Sequence, residues 1–417
     1  MWNTWQSQPL WLKVLIGLGL GLITGLVIPQ WLAVEIKIIG DLFIRAIKML
    51  IVPLIFVSLV TGVTAMSDMG RMGRIGLKTM GIYLFTTAIA VSVGLLFANI
   101  FAPGVGAPTG SLGDPQALEK TVSVKDLLTN IIPTNPIDAL AQTNVLQIIF
   151  FALLTGLAIN AVGEKAGPVR SFFISAADII YKITDWVMQT APYGVFGLIA
   201  WVVGTQGLDI LAPLAQLILT LYAACIAHMG IVLTIFLVLI ARLNVWRFLK
   251  GIRDAQLVAY STSTSSGTLP VSMRCVESHL GVSRPVSSFV LPLGATMNMD
   301  GTAIYMGIAA IFVSQAFGVD LTFTNYATIV LTGTLASIGA AGVPSAGLIL
   351  IPMVLSSVGL PIEAVALFAG VDRILDMMRT ATNVTGDCMV ATVVAKSEGE
   401  LDMDVFRSGE AREPASA

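Results

Sequence analysis

Ser261-Thr-Ser-Thr-Ser-Ser-Gly-Thr268 puts seven hydroxyl-bearing residues in eight positions, and only 19 residues separate the charges that flank it, Asp254 and Arg274. A membrane-spanning helix needs about 20 apolar residues, so neither arm of this stretch crosses a bilayer alone. Charges at both ends keep both ends on one side. The stretch therefore predicts a re-entrant hairpin with its polar tip buried in protein, the one place where irregular backbone is tolerated at membrane depth. A surface amphipathic loop is the competing reading.

The bilayer follows from composition. The chain has 417 residues, 56% hydrophobic and 12% charged, with a mean hydropathy of +0.86; a water-soluble core cannot hide so much apolar surface. Uncharged windows of spanning length recur at 14–34, 79–113, 139–163, 186–207 and 210–241, and a sixth, 321–362, is about twice too long. The first has only Lys13 before it and no small-residue cleavage site after it, which reads as an uncleaved span rather than a signal peptide. Net charge is −2 without a long charged block, so nothing points to nucleic acid or to a polybasic lipid-binding segment. Cys225, Cys275 and Cys388 are widely spaced and read as packing residues. His228 lies inside an apolar window and His279 in a charged segment, neither with a partner nearby in sequence.

Lys and Arg favour cytoplasmic loops. Arg71, Arg74 and Lys78 place the segment after the second span inside, as do Lys165 and Arg170, then Arg242, Arg247, Lys250 and Arg253; 104–126 and 318–325 carry no such excess. With Lys13 inside, six spans are complete by about residue 242, and both termini are cytoplasmic. Pro133, Pro136 and short apolar runs in 120–145 suggest extra half-helices near the outer surface.

The next run, 285–317, spans outward but is interrupted by Thr296-Met-Asn-Met-Asp-Gly-Thr302. In the overlong window, 325–336 and 348–358 are each too short to span, and Ser337-Ile-Gly-Ala-Ala-Gly-Val-Pro-Ser-Ala-Gly347 separates them. Its glycines and Pro344 forbid a continuous helix. The last span, 361–395, runs inward. The half thus holds two units of hairpin plus span, 254–317 and 325–395, entered from opposite faces. Such inverted repeats gather broken helices at a shared site, where carbonyls hold cations and helix N-termini hold anions.

In the last span Asp372, Asp376, Arg379, Asn383 and Asp387 follow at spacings of 4, 3, 4 and 4, one stripe of an otherwise apolar helix. Each intramembrane charge costs on the order of 3 kcal/mol and needs a partner. A mutually neutralised network that only locks helices together is the bland account. The functional account gives Arg379 a bidentate grip on a carboxylate and Asp376 an ammonium group, together an amino acid with an acidic side chain. Asp387, Asn383, Asn298, Asp300 and free carbonyls around Gly294, Thr296, Ser337 and Ile338 offer oxygens, which suit sodium rather than a transition metal. Asp372 is either a supporting partner of Arg379 or a partner of Arg373. Tyr83, Thr86 and Thr87 cluster three hydroxyls, although hydroxyls in membrane helices commonly bond their own backbone or a neighbouring helix.

Ser-Gly-Thr-Leu-Pro at 266–270, Asn-Met-Asp-Gly-Thr at 298–302, Gly-Val-Pro at 342–344 and Asp-Met-Met-Arg-Thr-Ala-Thr-Asn-Val-Thr-Gly-Asp at 376–387 resemble the dicarboxylate/amino acid:cation symporter family, in particular its archaeal and bacterial aspartate and glutamate transporters. The resemblance implies an all-α polytopic fold, the glutamate-transporter fold, with eight transmembrane helices, two re-entrant helical hairpins and inverted repeats. It implies substrate contacts from Thr264, Ser265, Ser266, Thr302, Gly342, Val343, Asp376, Arg379, Thr380 and Asn383. One sodium site would use Gly294, Asn298, Asn383 and Asp387; a second Thr296, Met299, Ser337, Ile338 and Ala340; a third Tyr83, Thr86, Thr87, Asn298 and Asp300. Asp372 and Arg373 would support the site from behind.

The resemblance also implies a homotrimer in the cell (inner) membrane that binds L-aspartate or L-glutamate with cotransported sodium. Residues 1–72 and 127–207 would form a rigid scaffold and 73–126 with 208–400 an elevator-like transport domain, with 401–417 a cytoplasmic tail. Many relatives have an arginine where Ser263 stands, and Arg373 is extra. Met306 replaces a glutamate linked to proton coupling in animal relatives, which argues against that coupling here. Asp376 and Asp387, absent from the proton-coupled dicarboxylate branch, favour an amino acid and sodium; Arg379, replaced in neutral amino acid relatives, favours an acidic side chain. A proton-coupled glutamate/aspartate or C4-dicarboxylate symporter is the alternative. A channel is disfavoured by two opposed gates, and an intramembrane protease by the lack of GxSG or GxGD patterns. No enzymatic activity is expected.

Overall fold

The structure, a computed structural model of the chain, describes residues 8, 10–64, 71–107, 132–142, 145–207, 211–338, 342, 345–369 and 371–408. Ala340 and Val343, 108–131 and 409–417 therefore lie outside the described residues. Among those described there is no strand, only an isolated bridge between Val282 and Leu401.

The first half runs α1 (Leu10–Val27), α2 (Gln30–Thr64), α3 (Arg71–Phe101), the short α4 (Pro136–Ala141), α5 (Val145–Val162), α6 (Gly167–Gln189), α7 (Ala191–Gln206) and α8 (Leu211–Leu233), which continues as a π-helical stretch, Thr234–Ile240. Two boundaries differ from the window reading. Window 14–34 is broken at Ile28 and Pro29, because proline opens a new helix rather than continuing one, and α2 then runs through Pro53 for 35 residues. In 120–145 the described part holds the single short helix α4, capped by Asn135 Oδ1, which accepts from the Ile137 amide at 3.0 Å.

The second half begins with α9 (Val245–Thr262) and α10 (Ser265–Arg274, then a π-turn Cys275–His279), which fold back against each other. The turn is made by Ser263 in the left-handed region at φ 54°. Thr264 then caps α10, its Oγ1 accepting from the Gly267 amide at 3.1 Å. The first arm is longer than the charges at Asp254 and Arg274 suggest: it starts at Asn244, whose Oδ1 accepts from the Arg247 amide at 3.0 Å. It is an amphipathic helix that carries Lys250, Arg253 and Asp254 on its outer face while Phe248, Ile252, Ala255 and Ala259 are buried.

The following span is broken where expected, into α11 (Arg284–Met297) and α12 (Asp300–Phe317), with Asn298 and Met299 outside helical geometry. The second hairpin is α13 (Phe323–Ile338) packed on α14 (Ala346–Ser357). The last span corrects the reading of 361–395 as one run: a 3-10 turn, Ile362–Ala364, and α15 (Val365–Ala369) precede α16 (Asp372–Glu398), with Val371 at the joint. Both hairpins are thus followed by an interrupted helix. A short α17 (Met403–Ser408) closes the described chain.

Packing concentrates in two sets. α1, α2, α5, α6 and α7 pack on one another; α3 and α8 to α14 pack around α16 and α12. A few contacts cross, α11 and α14 against α2, α13 against α5 and α15 against α7. α16 is buried along nearly its whole length, charges included. The outer helices expose large apolar side chains such as Leu20, Ile23, Leu42, Phe172 and Trp186, more than water tolerates and suited to lipid. Among the described residues three helical stretches, Arg74–Phe101, Leu211–Ile240 and Arg284–Phe317, are long and apolar enough to cross a membrane.

Candidate functional site

The two hairpin tips meet. The Thr264 hydroxyl and the Ser266 amide both donate to the Gly342 carbonyl, at 2.6 and 3.1 Å. Gly342 is required by this approach, since a Cβ there would lie 2.3 Å from Ser266 Oγ and 2.6 Å from the Ala295 carbonyl. Ser265 is buried beside them, as are Thr302 and Thr380.

Beyond the second tip sits Arg379, fully buried on α16. Its Nη2 lies 2.9 Å from both Asp372 Oδ1 and Asp376 Oδ1. Its guanidinium carbon is 4.1 Å from the centre of the Tyr305 ring, whose negative face favours a cation. Among the described residues, Nε and Nη1 have no hydrogen-bond partner. Nη1 faces the start of α14, where a Cβ on Gly347 would come within 2.4 Å of it. Asp376 uses its other oxygen, Oδ2, to accept from the Ser345 amide at 2.7 Å. Asp372 is therefore a partner of Arg379. Arg373 points elsewhere: its Nη2 donates to the Thr262 carbonyl at the end of α9 at 3.0 Å, with Nε and Nη1 unpartnered.

A second polar cluster surrounds the break between α11 and α12. Asn298 Nδ2 donates to Asp387 Oδ1 at 2.9 Å. Asn383 Oδ1 accepts from the Gly301 amide at 2.7 Å and its Nδ2 approaches Met299 Sδ at 3.1 Å. Gly294 admits this crowding, since a Cβ would lie 2.5 Å from both Asp387 Oδ1 and the Tyr83 hydroxyl. Tyr83 donates to the Val290 carbonyl at 3.0 Å. From α3 the Thr87 hydroxyl donates to Asp300 Oδ1 at 2.9 Å, while the single Thr86 hydroxyl lies 3.1 Å from the Tyr83 carbonyl, 3.3 Å from Asp300 Oδ1 and 3.4 Å from Asn298 Oδ1.

The structure therefore gathers the residues of the first and third expected cation sets into one buried cluster. The second set is less joined: Thr296 and Ser337 donate to carbonyls of their own helices, Leu293 at 3.0 Å and Thr334 at 2.9 Å. Ile338 ends α13, and among the described members of the set Met299 alone is hydrogen-bonded to the cluster. Three contributors escaped the sequence reading, namely Tyr305, Ser345 and His228, whose Nε2 lies 3.0 Å from Asp300 Oδ2. Only His228 left a signal, a lone imidazole in an apolar window.

Fold and site together define a helical membrane protein that encloses an aspartate-paired guanidinium beside an oxygen-rich cluster. The sequence model of the sodium:dicarboxylate symporter family matches residues 10–397, and the chain belongs to that family of transporters. It is 38% identical over 401 residues, 94% of each chain, to a proton/sodium-glutamate symport protein of Geobacillus stearothermophilus. It is 38% identical over 397 residues, 93% of this chain and 94% of the relative, to a proton/glutamate-aspartate symporter of Bacillus subtilis (strain 168). A C4-dicarboxylate transport protein of the same organism is 36% identical over 397 residues, 94% of each chain.

Proposed function

We propose that this transporter imports an acidic amino acid, L-aspartate or L-glutamate, together with sodium ions. The observation that carries the reading is Arg379: a fully buried guanidinium, beside Asp376, whose Nε and Nη1 have no partner among the described residues. Nε and Nη1 lie on opposite edges of the guanidinium, so a substrate carboxylate is taken by Nη1, the free donor that faces the start of α14, through a charge-assisted bond, and Asp376 Oδ2, on exchanging the Ser345 amide for a substrate ammonium, reads the amino end. Thr264, Ser265, Ser266, Thr302, Gly342, Thr380 and Asn383 complete the pocket, with Val343 assigned by resemblance alone. Asp387, Asp300, Asn298 and the α3 hydroxyls supply the hard oxygens that sodium prefers, in one cluster with Gly294, Asn383 and Tyr83. Thr296, Met299, Ser337, Ile338 and Ala340 form the other cation set of the proposal.

In this reading α9–α10 and α13–α14 are re-entrant hairpins among eight spans, and the set of helices around α16 moves as a body against the α1, α2, α5, α6 and α7 scaffold. The support is the division of packing contacts and the family resemblance, which also supports a homotrimer in the inner membrane with cytoplasmic termini.

The test is uptake of radiolabelled L-aspartate into proteoliposomes, with an inward sodium gradient set against potassium plus a proton gradient. Accumulation with sodium alone, lost in Arg379→Cys, is expected. Accumulation driven by protons alone, or preference for succinate over aspartate, defeats the reading in favour of the proton-coupled or C4-dicarboxylate alternative.

A further inference from the structure

His228 lies within α8, fully buried and remote in sequence from every other member of the site. A carboxylate oxygen only accepts, so the 3.0 Å contact between its Nε2 and Asp300 Oδ2 assigns the ring hydrogen to Nε2. Nδ1 has no hydrogen-bond partner among the described residues. The two oxygens of Asp300 are thus divided between helices: Oδ2 is held from α8 by the imidazole, and Oδ1 takes the Thr87 hydroxyl, with that of Thr86 beside it, from α3.

The two kinds of partner behave differently when an ion arrives. A threonine hydroxyl rotates freely and can turn a lone pair toward a cation that takes Oδ1. The imidazole N–H is fixed in the ring plane and has no such freedom, and Oδ2 need not give it up when a cation takes Oδ1. Without it, the buried carboxylate is free to turn about its Cβ–Cγ bond and loses a donor on the oxygen that faces away from the threonines.

We infer that His228 is a positioning residue for the cotransported cation: it clamps Asp300 Oδ2 so that Oδ1 stays aimed at the space shared with Thr86, Thr87 and Asn298 Oδ1. This rests on the sodium reading above. His228 itself holds no ion and touches no substrate.

The experiment is calorimetric L-aspartate binding to the purified full-length protein across a sodium titration, for wild type, His228→Ala and His228→Gln. Loss of a hydrogen bond to a buried charge should raise the sodium concentration for half-maximal coupling by ~10- to 100-fold in His228→Ala. Aspartate affinity at saturating sodium should stay within about twofold, and His228→Gln, which keeps an N–H donor, should recover most of the sodium affinity. Equal sodium dependence in wild type and His228→Ala overturns the inference, and so does a His228→Gln protein as impaired as His228→Ala. If His228→Ala is not monodisperse, His228→Met, which fills the site without a donor, is read against His228→Gln in the same way. Wild-type binding indifferent to sodium would defeat the sodium reading itself, and is seen before any variant is compared.

Discussion

Arg379 shows what one residue can demand of its surroundings. Burying a guanidinium is costly unless it is paired, and here Asp372 and Asp376 converge on Nη2 while the Tyr305 ring lies against the flat face. Two nitrogens stay unspent, and Gly347 keeps the space next to Nη1 open. Gly347→Ala would put a Cβ 2.4 Å from Nη1 and force the fork aside. Losing one charge-assisted bond to a substrate carboxylate should then weaken L-aspartate binding by ~10- to 100-fold. Binding calorimetry beside a thermal melt checks this: weakened binding with an unshifted melt is expected, and unchanged binding would mean that Nη1 does not hold the substrate.

Among the elements, α3 and α12 are drawn unusually close. A Cβ on Gly94 would lie 2.3 Å from the Ile304 carbonyl, whereas one on Gly230 in α8 would meet nothing within 4 Å. The close approach brings Thr86 and Thr87, two turns earlier on α3, within hydrogen-bonding reach of Asp300 at the start of α12. Gly94→Ala should therefore cost ~1–3 kcal/mol through overpacking and lower the melting temperature in detergent, with Gly230→Ala as the silent control. A melt unchanged in both would show that the two helices part easily. The break at Asn298 and Met299 acts at the same scale: it frees backbone groups and turns two side chains toward α16, where Asp387 and Asn383 receive them.

At the scale of the whole molecule, the start of α3 and the end of α16 are tied by charge. Glu398 accepts from Arg74 Nη2 at 2.7 Å and from Arg74 Nε at 3.0 Å, and Lys78 reaches its other oxygen. These hydrogen bonds hold its carboxyl down at about 2, below the ordinary 4.5. A depressed acid pKa stabilises the folded state above the unfolded value and loses that contribution as pH falls toward the folded one. Glu398→Gln should thus melt below wild type at pH 7, and the gap should close between about 4.5 and 2. Arg74 is 63% exposed at its side chain, so added salt should narrow the gap too. Detergent melts over pH and salt check both, and a gap independent of either would assign the contact to packing.

Much of the architecture is local enough to be read from the chain. Spanning length, the hydroxyl-rich stretch at 261–268, the glycine-rich one at 337–347, the interruption near 296–302 and the polar stripe of α16 each follow from composition and helical period, because burial in lipid forces every charge and every broken turn to have a reason. The second interruption, at Val371, is marked more weakly: Gly370 precedes it and Asp372-Arg373 follow, but no proline stands there to force a break. Contacts between distant segments were out of reach. That Thr264 and Ser266 close on Gly342, that Ser345 occupies Asp376, that Tyr305 backs Arg379 and that His228 finds Asp300 depend on how α3, α8, α12 and α16 pack. Periodicity states which face of a helix a residue occupies; only the packed arrangement decides what that face meets, because burial selects partners across the whole chain rather than along one helix.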